Sequence, residues 1–233
     1  MSEGEDLINF NFWPSFADMM LALVLVLCLT LFLVAAVMAV GTVNLKEVEG
    51  NEMSMINSIA GDYKVTAIRL PNKDNSYGIY FAGSKEPDIE IQNDLSQQRI
   101  TFSDKILFEP DHTEIKPEGE QVLLIVGAKV RTQLALIKEI QIQGHADTKP
   151  SGKFASNVEL AAKRAIAVFG FLQDKVGIKP AEHLMSVTSF GEYKSVQRKA
   201  EADYNMDRLQ ADNVTDELRR RNRRIELVLI YRR

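Results

Sequence analysis

Cysteine is nearly absent. The one residue, Cys28, lies inside an apolar run, so no intrachain disulfide can form and cysteine usage leaves the compartment open. It reads as a small packing residue. Histidine is almost as sparse: His112, His145 and His183 stand apart, with no thiol or carboxylate set at ligand spacing, which argues against a metal centre. No nucleophile elbow, phosphate loop or zinc-ligand spacing occurs, so an enzyme reading has no centre to rest on and no cofactor is expected. Internal repeats and low-complexity segments are missing too. No lysine or arginine precedes Met19 and few follow the apolar run, so counting positive charge does not orient the chain. The net charge of −4 implies neither an acidic nor a basic partner.

What is present begins with the run Met19 to Val43, which carries no charge and exceeds, at about 1.5 Å per residue, the roughly 30 Å of a bilayer core. A secretory signal would be shorter, with a basic start and a small-residue cleavage site. This N-tail is acidic (Glu3, Glu5, Asp6), so an uncleaved anchor is expected. The resulting plan is a tail over 1–13, a transmembrane helix over 14–43, a juxtamembrane linker with a small β-rich extension over 44–98, and a soluble domain over 99–233.

Within the linker, Met53, Met55, Ile56 and Ile59 suit a short helix from Asn44 to Gly61, read as a dimer seam or a spacer. Strand-like pieces follow at Tyr63–Ile68, Gly78–Phe81 and Asp88–Ile91, divided by turn compositions. In the soluble domain the patterns predict a strand over Arg99–Ser103 and a helix from Pro117 to about Leu136. A strand over Ile140–Gln143, an amphipathic helix over Asn157–Val176, and strands over Met185–Phe190 and Arg224–Tyr231 complete it. This order means an α+β fold, a mixed sheet with helices on one face.

Gly144-His145-Ala146-Asp147, Asn157 with Leu160, Arg164-Ala165 and Arg221-Asn222-Arg223-Arg224-Ile225-Glu226 follow one another in that order. Over roughly Arg99 to Tyr231 the chain resembles the peptidoglycan-binding domain of OmpA-like proteins, whose usual text is GH-T-D, N-x-x-L-S-x-x-R-A and N-R-R-hydrophobic-E. Ala146 and Ala161 stand where Thr and Ser are usual. The resemblance implies that Asp147 and Arg164 grip the diaminopimelate of a stem peptide, with Thr148, Asn157 and Leu160 beside them and Arg223 or Arg224 in support. A zwitterionic amino-acid end needs a carboxylate for its ammonium and a guanidinium for its carboxylate. Read from the residues alone, Asp147 is equally a turn cap and Arg164 a solvated helix charge. His145 reads as orienting the loop through a backbone hydrogen bond. The basic run Arg219–Arg224 lacks interleaved aromatics, so no nucleic-acid partner is expected.

At the other end, Phe12-Trp13-Pro14-Ser15-Phe16-Ala17-Asp18-Met19-Met20 is similar to the W-x-x-x-x-A-D-hydrophobic-M segment of MotB-type stator B subunits. Flagellar MotB and the Zorya anti-phage subunit ZorB combine that segment with an OmpA-like domain. The resemblance implies an inner-membrane protein with its N-terminus cytoplasmic and its domain periplasmic. Two copies would sit inside a MotA- or ZorA-like multi-span pentamer, and Asp18 would relay a proton, with sodium the alternative ion. Ser15 and Thr30 are candidate helpers on the ion path. On physical grounds a carboxylate in an apolar helix must pair or take up a proton. Equally, the bilayer could slide toward Val43 and leave Asp18 at the headgroups within an aromatic belt. The acidic tail and the β-rich extension in place of a plug helix lean the comparison toward ZorB; a flagellar stator subunit and a passive tether are the alternatives.

Overall fold

The computed structural model describes residues 12–71, 73, 75–81, 83–84, 86–94, 96–198 and 203–232; the acidic tail lies outside them. The chain divides into two compact units, 1–48 and 49–233.

Helix α1 (Trp13–Asp62) opens with Pro14, whose fixed φ suits a first turn. Its section Trp13–Met38 contains an 18-residue stretch of mean hydropathy 3.1 and is long and apolar enough to cross a membrane, and Asp18 is its one charged residue. The separate helix expected from Asn44 is instead a continuation of α1. No proline follows Pro14 in this helix, and a lone helical glycine such as Gly50 costs only about 1 kcal/mol. Within the second unit, Met55, Ile56, Ile59 and Ala60 form a buried stripe, and Lys129 Nζ lies 3.1 Å from Asp62. These apolar positions serve the chain's own core, where a seam or spacer was expected.

The remaining elements are β1 (Ile68–Arg69), β2 (Ser76–Ile79), β3 (Ile89–Asp94), β4 (Gln97–Ser103), α2 (Asp104–Leu107), α3 (Pro117–Thr132), β5 (Ile137–His145), α4 (Asn157–Phe171), β6 (Leu184–Gly191), α5 (Met206–Ala211), α6 (Asp216–Asn222) and β7 (Arg224–Tyr231). Seven strands make one sheet in the order β1-β2-β3-β4-β7-β5-β6. Only β5 and β6 pair in parallel, with α4 as their crossover. Residues Asp62–Asn93 therefore supply strands to the same sheet as the soluble domain, and the expected strand at Tyr63–Ile68 shrinks to Ile68–Arg69.

Register explains the two faces. Ile142, Leu227, Ile100 and Ile91 stand opposite one another across four strands, all essentially fully buried beneath the helices. One residue along each strand, Gln143, Glu226, Thr101 and Glu90 line up on the other face. α3 begins with Pro117 and two glutamates and ends with Lys129 and Arg131, the charge order that a helix dipole favours. It stops at Thr132, short of the expected Leu136, in tight turns where Gln133 N donates to Val130 O and Leu136 N to Gln133 O. α4 is capped by Ser156, whose hydroxyl accepts from Glu159 N at 3.1 Å. It ends at Phe171, and a π-helical turn, Leu172–Val176, closes on Gly177 at φ 80°.

Gly144 fixes how closely α4 lies on β5. A Cβ there would sit 2.1 Å from the carbonyl oxygen of Ala161. Gly144→Ala is expected to destabilise the protein by about 1–3 kcal/mol or more, because backbone rather than a side chain must move. A denaturation midpoint unchanged from the native protein would contradict that packing.

Candidate functional site

The helix-covered edge of the sheet ends in a pocket of about 390 Å³ where the β4–α2 junction, the loop after β5, one face of α4 and the start of β7 converge. Asn157, Leu160 and Arg164 recur at i, i+3 and i+7, so α4 presents all three to it. Asn157 Nδ2 donates to Asp147 O at 3.0 Å and pins the loop to the helix. Asp147 does cap its turn, Oδ1 accepting from Lys149 N at 3.0 Å, while Oδ2 faces the pocket and accepts from Arg223 Nη1.

Arg164 is far from solvated: it is 2% exposed. Its Nε donates to His112 O at 2.9 Å and its Nη2 to Glu109 O at 3.3 Å, while Nη1 meets Asp104 Oδ1 at 2.8 Å. Three of five donors are thereby used and two remain. Asp104 is thus the residue that the sequence reading missed, and it touches both cations, Arg223 Nε lying 3.8 Å from its other oxygen. Burial pushes the Asp104 carboxyl above its usual range, against the pull of Arg164 and Arg223. Phe108, 2% exposed, lies under Arg164, its ring centroid 5.1 Å from the guanidinium carbon. Asp111, at φ 55°, accepts from Gly152 N at 3.0 Å and ties the β5–α4 loop to the loop after α2.

Two arginines and two carboxylates therefore alternate as Arg164, Asp104, Arg223, Asp147 around an apolar floor of Ala146, Leu160 and Phe108. A zwitterion can enter such a chain by giving its ammonium to the carboxylates and its carboxylate to the unused guanidinium N–H groups.

Residues 107–208 match the sequence profile of the OmpA family. The C-terminal part is an OmpA-like domain. Its fold is shared by a putative MotB-like protein from Desulfovibrio vulgaris, with 21% identity, a TM-score of 0.59, and coverage of 81% of this chain and 98% of that one. Two crystal structures of the periplasmic domain of Helicobacter pylori MotB are also similar. One has 21% identity, a TM-score of 0.53 and coverage of 69% and 90%. The other has 19% identity, a TM-score of 0.50 and coverage of 63% and 84%. No curated protein sequence matches the chain.

Other expected residues of the OmpA-like domain lie elsewhere. Thr148 is half-buried in the loop but outside the pocket lining. Arg224 faces the opposite side of the sheet, its Nε 2.6 Å from Glu226 Oε1, because alternation along β7 sends it away from Arg223. His145 also points to that side; among the described residues neither buried ring nitrogen has a hydrogen-bond partner, and Nε2 stops 3.6 Å from Glu226 Oε2. It stacks on Phe190 instead, centroids 5.2 Å apart.

Burial pushes the His145 pKa down to about 4, so the folded state resists a proton that the unfolded chain accepts near 6.5. Stability should therefore fall as pH drops from about 6.5 toward 4, by roughly 3 kcal/mol for this gap. Burial alone would raise Glu226, but Arg224, the adjacent His145 ring and Arg99 hold it well below the usual range, so its contribution is lost only at still lower pH and in the same direction. His145→Phe is expected to flatten the urea midpoint between pH 6.5 and 4; a profile as steep as the native one would clear His145.

In the first unit, Ser15 and Asp18 are neighbours at i, i+3 and line one shallow hollow with Pro14, Ala17 and Leu21. Thr30 lies about 18 Å further along the helix axis. Its hydroxyl donates to Leu27 O at 2.8 Å.

Proposed function

We propose that the chain is a single-pass, inner-membrane stator B subunit of an ion-driven rotary motor, held to the cell wall through its OmpA-like domain. The N-terminus is cytoplasmic and the domain periplasmic. Two copies pair inside a multi-span MotA- or ZorA-like ring, the domain grips the diaminopimelate end of a peptidoglycan stem peptide, and Asp18 carries the proton. Within that class the lean is to a ZorB-like part in anti-phage defence.

One observation carries this reading: a span whose single charge is a carboxylate shares its chain with a pocket of alternating arginines and carboxylates. A single helix cannot enclose an ion path, so the exposed Asp18 needs walls from other chains, whereas a passive tether has no use for it. The fold shared with MotB periplasmic domains supports the choice.

The wall-binding half is tested by co-sedimentation with peptidoglycan sacculi. The full-length protein in detergent should pellet with them, and Asp147→Asn with Arg164→Lys should leave it in the supernatant. Pelleting by the double variant at the native level would remove this pocket from wall binding.

A further inference from the structure

On the sheet face turned away from the helices lies a second concavity, about 340 Å³, lined by eight cationic side chains against three carboxylates. This local excess runs against a chain whose net charge is −4. Each carboxylate is already engaged: Glu226 by Arg99 at 2.5 Å and Arg224 at 2.6 Å, Glu90 by Lys73 at 2.5 Å, and Glu86 by Arg220 at 3.1 Å. Lys194, Arg198 and Arg221 are left with no carboxylate within 4 Å among the described residues. Burial pushes the Lys194 ammonium below its usual range; it bonds to Gln143 Oε1 at 3.2 Å and sits 4.2 Å from the Phe190 ring centroid. Unneutralised cations gathered over a sheet repel one another, and an anion among them removes that repulsion.

The groove also runs into the pocket already described. Glu86, Ser103, Arg220 and Arg223 line both, so Arg223 is a shared wall between them. A ligand seated by its zwitterionic end at Asp147 and Arg164 extends about 7 Å further for each two residues of extended chain, and the shared wall gives that chain a route toward the groove.

We infer that the groove is a second subsite of the same grip, taking free carboxylates of the stem peptide, above all the α-carboxylate of the γ-linked glutamate that precedes the diamino acid. Arg198 is its exposed contact, and Arg221 and Lys194 its half-buried ones. This inference rests on the wall-binding reading above, and it makes the wall site a reader of carboxylate content: a glutamate amidated at that carboxylate loses the second contact and keeps the first.

The test is calorimetry on the full-length protein in detergent with four probes: free diaminopimelate, the tripeptide alanyl-γ-glutamyl-diaminopimelate, the same tripeptide amidated at the glutamate α-carboxylate, and inorganic polyphosphate. The acidic tripeptide should bind about tenfold to a hundredfold more tightly than the amidated one, the span of one or two charge-assisted hydrogen bonds. Arg198→Gln with Arg221→Gln should remove that advantage and leave diaminopimelate affinity unchanged. Equal native affinity for acidic and amidated tripeptides overturns the subsite without touching the pocket, and needs no variant to fold. Failure of the native protein to bind either diaminopimelate or tripeptide takes down the wall-binding reading and the subsite with it. A double variant that loses only polyphosphate overturns the inference in favour of a phosphate polymer.

Discussion

Arg164→Ala is expected to be the most destabilising single change in the Arg164–Asp104–Arg223–Asp147 pocket, costing about 3–5 kcal/mol and lowering the melting temperature by roughly 6–20 °C. Asp104 would be left buried and facing only Arg223 at 3.8 Å, and the carbonyls of Glu109 and His112 would lose their donor. A double-mutant cycle separates the causes. Because most of the cost is the stranded charge, Arg164→Ala with Asp104→Asn should be more stable than Arg164→Ala alone. Thermal unfolding followed by circular dichroism reads both. If the double change is additive, Asp104 is not the carboxylate that Arg164 supports, and the alternating arrangement of the pocket fails.

Asp18→Asn should abolish ion-driven activity while leaving membrane insertion and the folded OmpA-like domain intact. The substitution keeps size and polarity and removes only the ability to take up and release a proton, which is why it tests the carrier role and not packing. No other carboxylate, histidine, lysine or arginine lies within Trp13–Met38, so no second carboxylate in the span can substitute. Phage plating on a non-flagellated host that expresses the chain with its genomic neighbours gives the readout. Protection lost in the variant supports a defence motor. Protection by the variant at the native level removes Asp18 from the mechanism and leaves the tether reading. If neither form protects, the same pair belongs in a swimming assay.

Much of the architecture was legible because its signals are local and periodic. The β7 strand matched residue for residue, and α4 was visible in its apolar spacing and its Asn157, Leu160, Arg164 face. The continuity of α1 was not, since the composition turns from apolar to polar after Val43 and suggests there the end of a span and the start of a separate linker helix. Asp104 was missed because its role depends on contacts 60 residues away with Arg164 and more than a hundred away with Arg223, and nothing local beside Ser103 marks it. Of Arg223 and Arg224, the sequence left open which supports the pocket, because adjacent arginines at a strand start diverge and only the sheet decides that Arg223 faces it. His145 was given a hydrogen bond that its buried ring does not make, the motif position having suggested polarity where the packing is aromatic.

The balance of two guanidiniums and two carboxylates in the pocket has a consequence for osmotic stress. A zwitterion entering a neutral set exchanges charge for charge, so few counter-ions are released and the grip should be nearly flat with ionic strength. As the proposed wall anchor, this pocket would hold its load when the medium concentrates, while the proposed subsite in the basic groove beside it would loosen, so that salt alone would shift the load between the two.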